Sequence, residues 1–123
     1  MTEILASRLL LRPRDMAASL AFYRDELGLA IAFEFRGGTV FHLGGGFLEL
    51  SGHADAPASD AVALWLQVRD VEATHRELAA HVAREPRREP WGLIEMWIVD
   101  PDGTRIVLVE IPADHPMRRD VRP

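Results

Sequence analysis

The stretch Leu11-Arg12-Pro13-Arg14-Asp15-Met16-Ala17-Ala18-Ser19 is echoed 55 positions later by Leu66-Gln67-Val68-Arg69-Asp70-Val71-Glu72-Ala73-Thr74. Leu, Arg, Asp and Ala recur outright, and Met/Val and Ser/Thr recur in kind. Both stretches share a physical plan. An extended segment leads to an aspartate whose side chain accepts hydrogen bonds from the free amides of a first helical turn, and a helix follows. After Asp15, the residues Met16, Leu20, Tyr23 and Leu27 recur at spacings of 4, 3 and 4 and form one apolar stripe, and Gly28 supplies the stop. After Asp70, the residues Val71, Thr74 or His75, Leu78 and Val82 face one way at similar spacing. Each helix is therefore expected to cover one side of a sheet.

Working outward, each helix is followed by three extended segments. In the first half these are expected at 29–36, 39–43 and 47–51, separated by Gly37-Gly38 and by Gly44-Gly45-Gly46; in the second half at about 82–88, 93–99 and 104–111, with Pro101-Asp102-Gly103 turning the last pair. Pro86 removes an amide from any ladder, which makes its segment an edge strand or part loop. Residues 53–60 are small, polar and without periodicity, so they read as a linker. The fold class is α+β, with module one at about 4–52, the linker at 53–60, module two at 61–112 and a loose tail at 113–123. A module of about 55 residues buries too little surface to stand alone, so the two are expected to form one domain over 1–123.

The chain has 123 residues with 48% hydrophobic and 27% charged residues, an ordinary globular composition. It contains no cysteine, which excludes disulfides, thiolate metal sites and a cysteine nucleophile. A net charge of −5 disfavours nucleic acid, whose phosphates need a positive stripe; the densest basic stretch, Arg84 to Arg88, carries Glu85 inside it and Glu89 beside it. The first residues show no basic segment followed by a long apolar core, and no apolar run approaches about 18 residues, so no membrane partner is expected and the location is read as cytoplasmic. No nucleophile elbow or HExxH run occurs, and the glycine triplet at 44–46 precedes no helix that would face a phosphate.

Paired βαβββ modules, with Ser19-Leu20-Ala21-Phe22-Tyr23-Arg24-Asp25-Glu26-Leu27-Gly28-Leu29 in the first helix and Trp91-Gly92 before Asp100-Pro101-Asp102-Gly103-Thr104, resemble the vicinal-oxygen-chelate superfamily of glyoxalases, bleomycin-resistance proteins and extradiol dioxygenases. The resemblance runs from about Leu5 to Ile111. It implies that each module curls its strands into a half-open mixed sheet around a cavity, with the helix outside, and that two chains pair as a homodimer. It also implies where a metal would sit in metal-using members: on the first and fourth strand of each module, here Arg8, Glu49, Ala63 and Val107. Only Glu49 offers a lone pair for a cation, since a guanidinium is always protonated and Ala and Val have no donor atoms. No metal and no other cofactor is therefore expected.

Arg8 and Glu49 occupy facing positions of one module and are expected to interact. The functional reading gives Arg8 the recognition of a carboxylate, phosphate or enolate oxygen, with Glu49 orienting it or acting as a catalytic base; the structural reading is an ion pair filling a vacant site. Alternation along the second module's first strand sends Ala63, Trp65 and Gln67 into the cavity, where Phe47 joins them as an aromatic wall. The leading expectation is a protein that binds a small organic molecule. Its rival is an enzyme of lyase, isomerase or dioxygenase type, using either the Arg8/Glu49 pair or an atypical metal site of His42, Glu49 and His53. A third reading closes the cavity and assigns the chain to association with a partner. His75, His81 and His115 read as surface or packing residues.

Overall fold

The structure is a computed structural model that describes residues 1–117. Four strands and one helix make the first half: β1 (Arg8–Leu11), α1 (Met16–Ala21), β2 (Ile31–Phe35), β3 (Gly38–Leu43) and β4 (Gly46–Ser51). The second half repeats them as β5 (Ala63–Gln67), α2 (Val71–Glu77), β6 (Val82–Arg88), β7 (Ile94–Val99) and β8 (Arg105–Glu110). Strand order is β1-β4-β3-β2 in one sheet and β5-β8-β7-β6 in the other. The first and fourth strand of each half run parallel, and the remaining pairs are antiparallel. This is the expected pair of βαβββ modules in an α+β fold. The contacts divide the described residues into two compact units, Met1–Ser59 with the Pro101–Gly103 turn, and Asp60–Asp100 with residues 104–117.

Each aspartate caps its helix as the sequence implies: Asp15 accepts from the Ala18 amide, and Asp70 from the amides of Glu72 and Ala73. The first helix departs from the expected stripe. Beyond Ala21 it widens into a π turn, Phe22–Glu26, in which the Leu27 amide donates to the Phe22 carbonyl at 2.8 Å. The buried residues are Ser19, Phe22 and Tyr23, while Met16, Leu20 and Leu27 are only partly covered. Gly28 then takes φ +76° and lets the Leu29 amide reach back to the Tyr23 carbonyl at 2.9 Å, a closure that needs the left-handed region. In the second helix, Leu78 leaves helical geometry at φ −109°, ψ 24°, a 3-10 turn carries Ala79–His81, and Val82 opens β6 instead of closing the helical stripe.

Strand alternation sorts each sheet into two faces. On the first, Phe41, Leu48 and Leu50 are fully buried on the same side, and Tyr23 packs near Phe41 with ring centroids 6.4 Å apart. On the second, Leu64, Met96, Ile98, Ile106 and Leu108 form the corresponding layer. The opposite faces carry the polar groups described below. Pro86 lies on the outer strand β6, and the register against β7 slips between Arg84 and Arg87, where the proline has no amide to give. At the chain's end, His115 Nε2–H donates to the Trp91 carbonyl at 3.0 Å, and the Met117 amide donates to His115 Nδ1 at 3.1 Å. Residues 118–123 of the expected tail lie outside the described residues.

Candidate functional site

In the first unit, β1 lies beside β4, with Arg8 level with Phe47 and Leu10 level with Glu49. Period-two alternation therefore sets Arg8, Leu10, Phe47, Glu49 and Ser51 on one face. Arg8 donates to Glu49 Oε1 at 2.8 Å, and the Ser51 hydroxyl donates to Glu49 Oε2 at 2.6 Å. Both carboxylate oxygens are thus engaged, and the Glu49 residue is only 8% exposed. The Ser51 hydrogen bond first, and the Arg8 hydrogen bond next, hold its carboxyl below the ordinary value against the effect of burial. The Arg8 guanidinium also lies 5.3 Å from the Phe33 ring centroid. β1 and β2 are the two outer strands of this sheet, so a side chain reaching from one to the ring of the other marks a concave face. Val40, level with Glu49 on β3, is buried beneath it.

The second unit places Ala63, Trp65 and Gln67 on the face away from the Leu64 and Ile106 layer, as alternation implied. Trp65 is 46% exposed and lies level with Val107. Beyond Val107 in the same row stand Trp97 on β7 and Arg84 on β6. Guanidiniums cover the Trp97 ring, Arg84 at 4.4 Å and Arg105 at 4.9 Å from its centroid. Arg84 also binds Glu89 at 2.5 Å, and Arg87 approaches the same oxygen at 3.2 Å. Burial acts to raise the Glu89 carboxyl, but hydrogen bonds from Arg84 and Arg87 outweigh it and hold the pKa below its ordinary value. Glu95, level with Val109, accepts from the Trp91 indole at 2.8 Å.

Of the residues singled out from the sequence, Arg8, Glu49 and Phe47 share one face of the first sheet, and Trp65 and Gln67 share one face of the second. His42 and His53 do not gather on Glu49. The His42 ring lies 5.5 Å from that of Phe47, and His53 Nε2 is 3.1 Å from Asp55. Among the described residues, no group of three or more His, Cys, Asp or Glu side chains is placed to hold a metal ion. The four residues at which the resemblance implies a metal, Arg8, Glu49, Ala63 and Val107, do not fit one either: a fixed cation stands 2.8 Å from the sole carboxylate of the four, and the other two have no lone pair. Ser51 was within reach of sequence reasoning, since it follows Glu49 by one alternation. The stacking of Arg84 on Trp97 was not, because the slipped register of β6 hides which residues face β7.

Residues 6–108 match the family described as Glyoxalase/Bleomycin resistance protein/Dioxygenase superfamily. A bleomycin resistance protein from Klebsiella pneumoniae is 29% identical over 111 residues, covering 79% of this chain and 85% of that protein. Among solved structures, a lactoylglutathione lyase from Agrobacterium tumefaciens is similar at 25% identity and a TM-score of 0.66, covering 89% of this chain and 94% of its own. The bleomycin-binding protein of Streptomyces verticillus, complexed with copper(II)-bleomycin, is similar at 24% identity and a TM-score of 0.66, covering 88% and 97%. The match spans both βαβββ halves, and on that ground the chain belongs to the glyoxalase/bleomycin resistance protein/dioxygenase superfamily.

Proposed function

We propose that the chain binds a small organic molecule against the polar faces of its sheets, without a metal, and holds it instead of converting it. The observation that carries this reading is the Arg8–Glu49–Ser51 arrangement, in which both oxygens of Glu49 are engaged by hydrogen bonds, at the strand positions where the resemblance implies a metal in metal-using members. A carboxylate held ionised, with both oxygens engaged, takes a proton poorly near neutral pH, so Glu49 is better suited to fixing a ligand than to acting as a general base. Arg8 has further N–H groups to offer a ligand oxygen, Phe47 supplies apolar wall, and Trp65 and Gln67 play the same parts on the second sheet. The likeness to a bleomycin resistance protein and to a bleomycin-binding protein supports a binding role for this chain. We further propose a homodimer, in which a second copy covers the exposed Leu10, Phe33 and Phe35 of the first sheet.

The test is a titration of chelator-treated protein with a library of acids, zwitterions and cations, followed by tryptophan fluorescence. Binding that survives chelation is expected, and Arg8→Ala should weaken it by about 1.5 to 3 kcal/mol, the loss of a hydrogen bond from a charged donor. About one Ni, Zn, Fe or Mn per chain in the protein as purified, or binding that vanishes with chelation, would overturn the metal-free reading. Sedimentation at micromolar loading checks the homodimer, and a concentration-independent monomer mass would overturn it.

A further inference from the structure

Three buried side-chain nitrogens in the described residues have no hydrogen-bond partner: Arg84 Nε, Trp97 Nε1 and Arg105 Nε. All three belong to one face of the second sheet. Arg84 is level with Trp97, Trp97 with Val107, and Arg105 precedes Val107 by one alternation. A buried N–H left unpaired destabilises the fold, so three in one cluster signal a place where an acceptor belongs. The charges point the same way. Arg84 and Arg87 share Glu89, whereas Arg105 has the Trp97 ring and, among the described residues, no ion-pair partner. Arg8 on the first sheet, by contrast, is met by Glu49. Partly buried arginines are ordinarily paired.

Apolar surface adjoins this cation. Ala63 lies level with Arg105 on one side and leaves space, and Val99 lies level with it on the other, 42% exposed. Trp65, 46% exposed, follows Ala63 by one alternation on the same face. A hydrated inorganic anion would leave these apolar groups unused. A flat acid uses both halves, because a carboxylate matches the planar fork formed by an arginine Nε–H and one terminal N–H.

We propose that this face of β5, β8 and β7 binds an organic carboxylate with an apolar body, the carboxylate on Arg105 and the body against Trp65 and Val99. This rests on the small-molecule reading above and names the ligand class. The Arg105 Nε–H is shielded in the ligand-free chain, so binding swings the guanidinium off the Trp97 ring and toward the acid. The surroundings of Trp97 change as it moves, which makes indole emission a direct reporter.

The experiment titrates the full chain with 2-naphthoate, its neutral counterpart 2-naphthalenemethanol and inorganic phosphate, by calorimetry and by fluorescence. Naphthoate is expected to bind with a change in emission, and the neutral compound at least about tenfold more weakly. Arg105→Gln should weaken naphthoate about 10- to 100-fold, Arg105→Lys less, and the helix-surface control Arg76→Gln not at all. Should Arg105→Gln fail to fold, the lysine variant and the charged-against-neutral comparison on the unaltered chain decide the matter. Naphthoate binding that ignores both Arg105 substitutions, equal affinity for the neutral compound, or phosphate binding as tightly as naphthoate would each overturn the proposal. If the acids fail while a neutral or cationic library member binds, this inference falls and the small-molecule reading stands; if nothing binds, both fall.

Discussion

The two sheets share a lattice and put it to opposite uses. In the first, the position level with the fourth-strand carboxylate Glu49 is Val40, and in the second, the position level with Val107 is Trp97. A small floor residue under a charged neighbour has become a large floor residue beside a small neutral one. In the first sheet the hollow is bridged from rim to rim, Arg8 reaching the Phe33 ring above a buried Glu49. In the second the hollow is filled from within, Trp97 between Arg84 and Arg105. The duplicated framework thus tolerates a trade of volume against charge at one site, because in either arrangement the guanidiniums lie over an aromatic face and the buried acids are hydrogen-bonded.

The largest effect is expected where volume does the filling. Trp97→Ala should lower stability by about 3 kcal/mol, near the low end for a tryptophan because the residue is only partly covered, whereas Val40→Ala should cost about 2 kcal/mol. Urea midpoints of the two variants check the order, and a larger loss for Val40→Ala would break the contrast between a filled and a bridged hollow.

Acid sharpens the comparison next. Glu49 and Glu89, one in each unit, both have folded pKa values below the 4.5 of a free glutamate. On acidification the unfolded chain binds protons first. Their stabilisation is therefore complete above about pH 4.5 and is lost as the pH falls through the lowered folded values. Thermal midpoints measured from pH 6 down to pH 3 should fall, and Glu49→Gln and Glu89→Gln should each flatten that decline. A midpoint that rises on acidification in this window would contradict both sites. The smallest effect belongs outside both hollows: the exposed Arg24–Asp25 pair, at 2.8 Å, should leave the melting temperature of Arg24→Ala unchanged.

Much of the architecture was legible because it rests on local chemistry. Asp15 and Asp70 announce helix starts through their own side chains, Gly28 announces a stop through its freedom at positive φ, and Pro86 announces an edge by lacking an amide. The Arg8–Glu49 pairing was legible too, since parallel β1 and β4 place two alternating strands in a register that hydrophobic pattern alone specifies. What escaped was set by geometry that no periodicity encodes. The π turn at 22–26 adds a residue to one helical turn, and it carries the buried Phe22 and Tyr23. Likewise, two slips in register along β6 decide that Arg84 meets Trp97, and a reading at strict period two carries the wrong residues to that face.

The parallel pairing of first with last strand also governs how the chain must assemble in time. β1 has no neighbour in its sheet until β4 exists, and β5 has none until β8 exists. On a growing chain each opening strand therefore waits through a helix and two hairpins before it is held. The delay is greatest for the first unit, whose Arg14 guanidinium binds Asp102 at 2.7 Å across 88 positions of sequence. Contacts so far apart must meet the cost of closing a long loop before they give anything back, and folding rates fall accordingly. The first half of this protein, made first, is among the last parts to be completed.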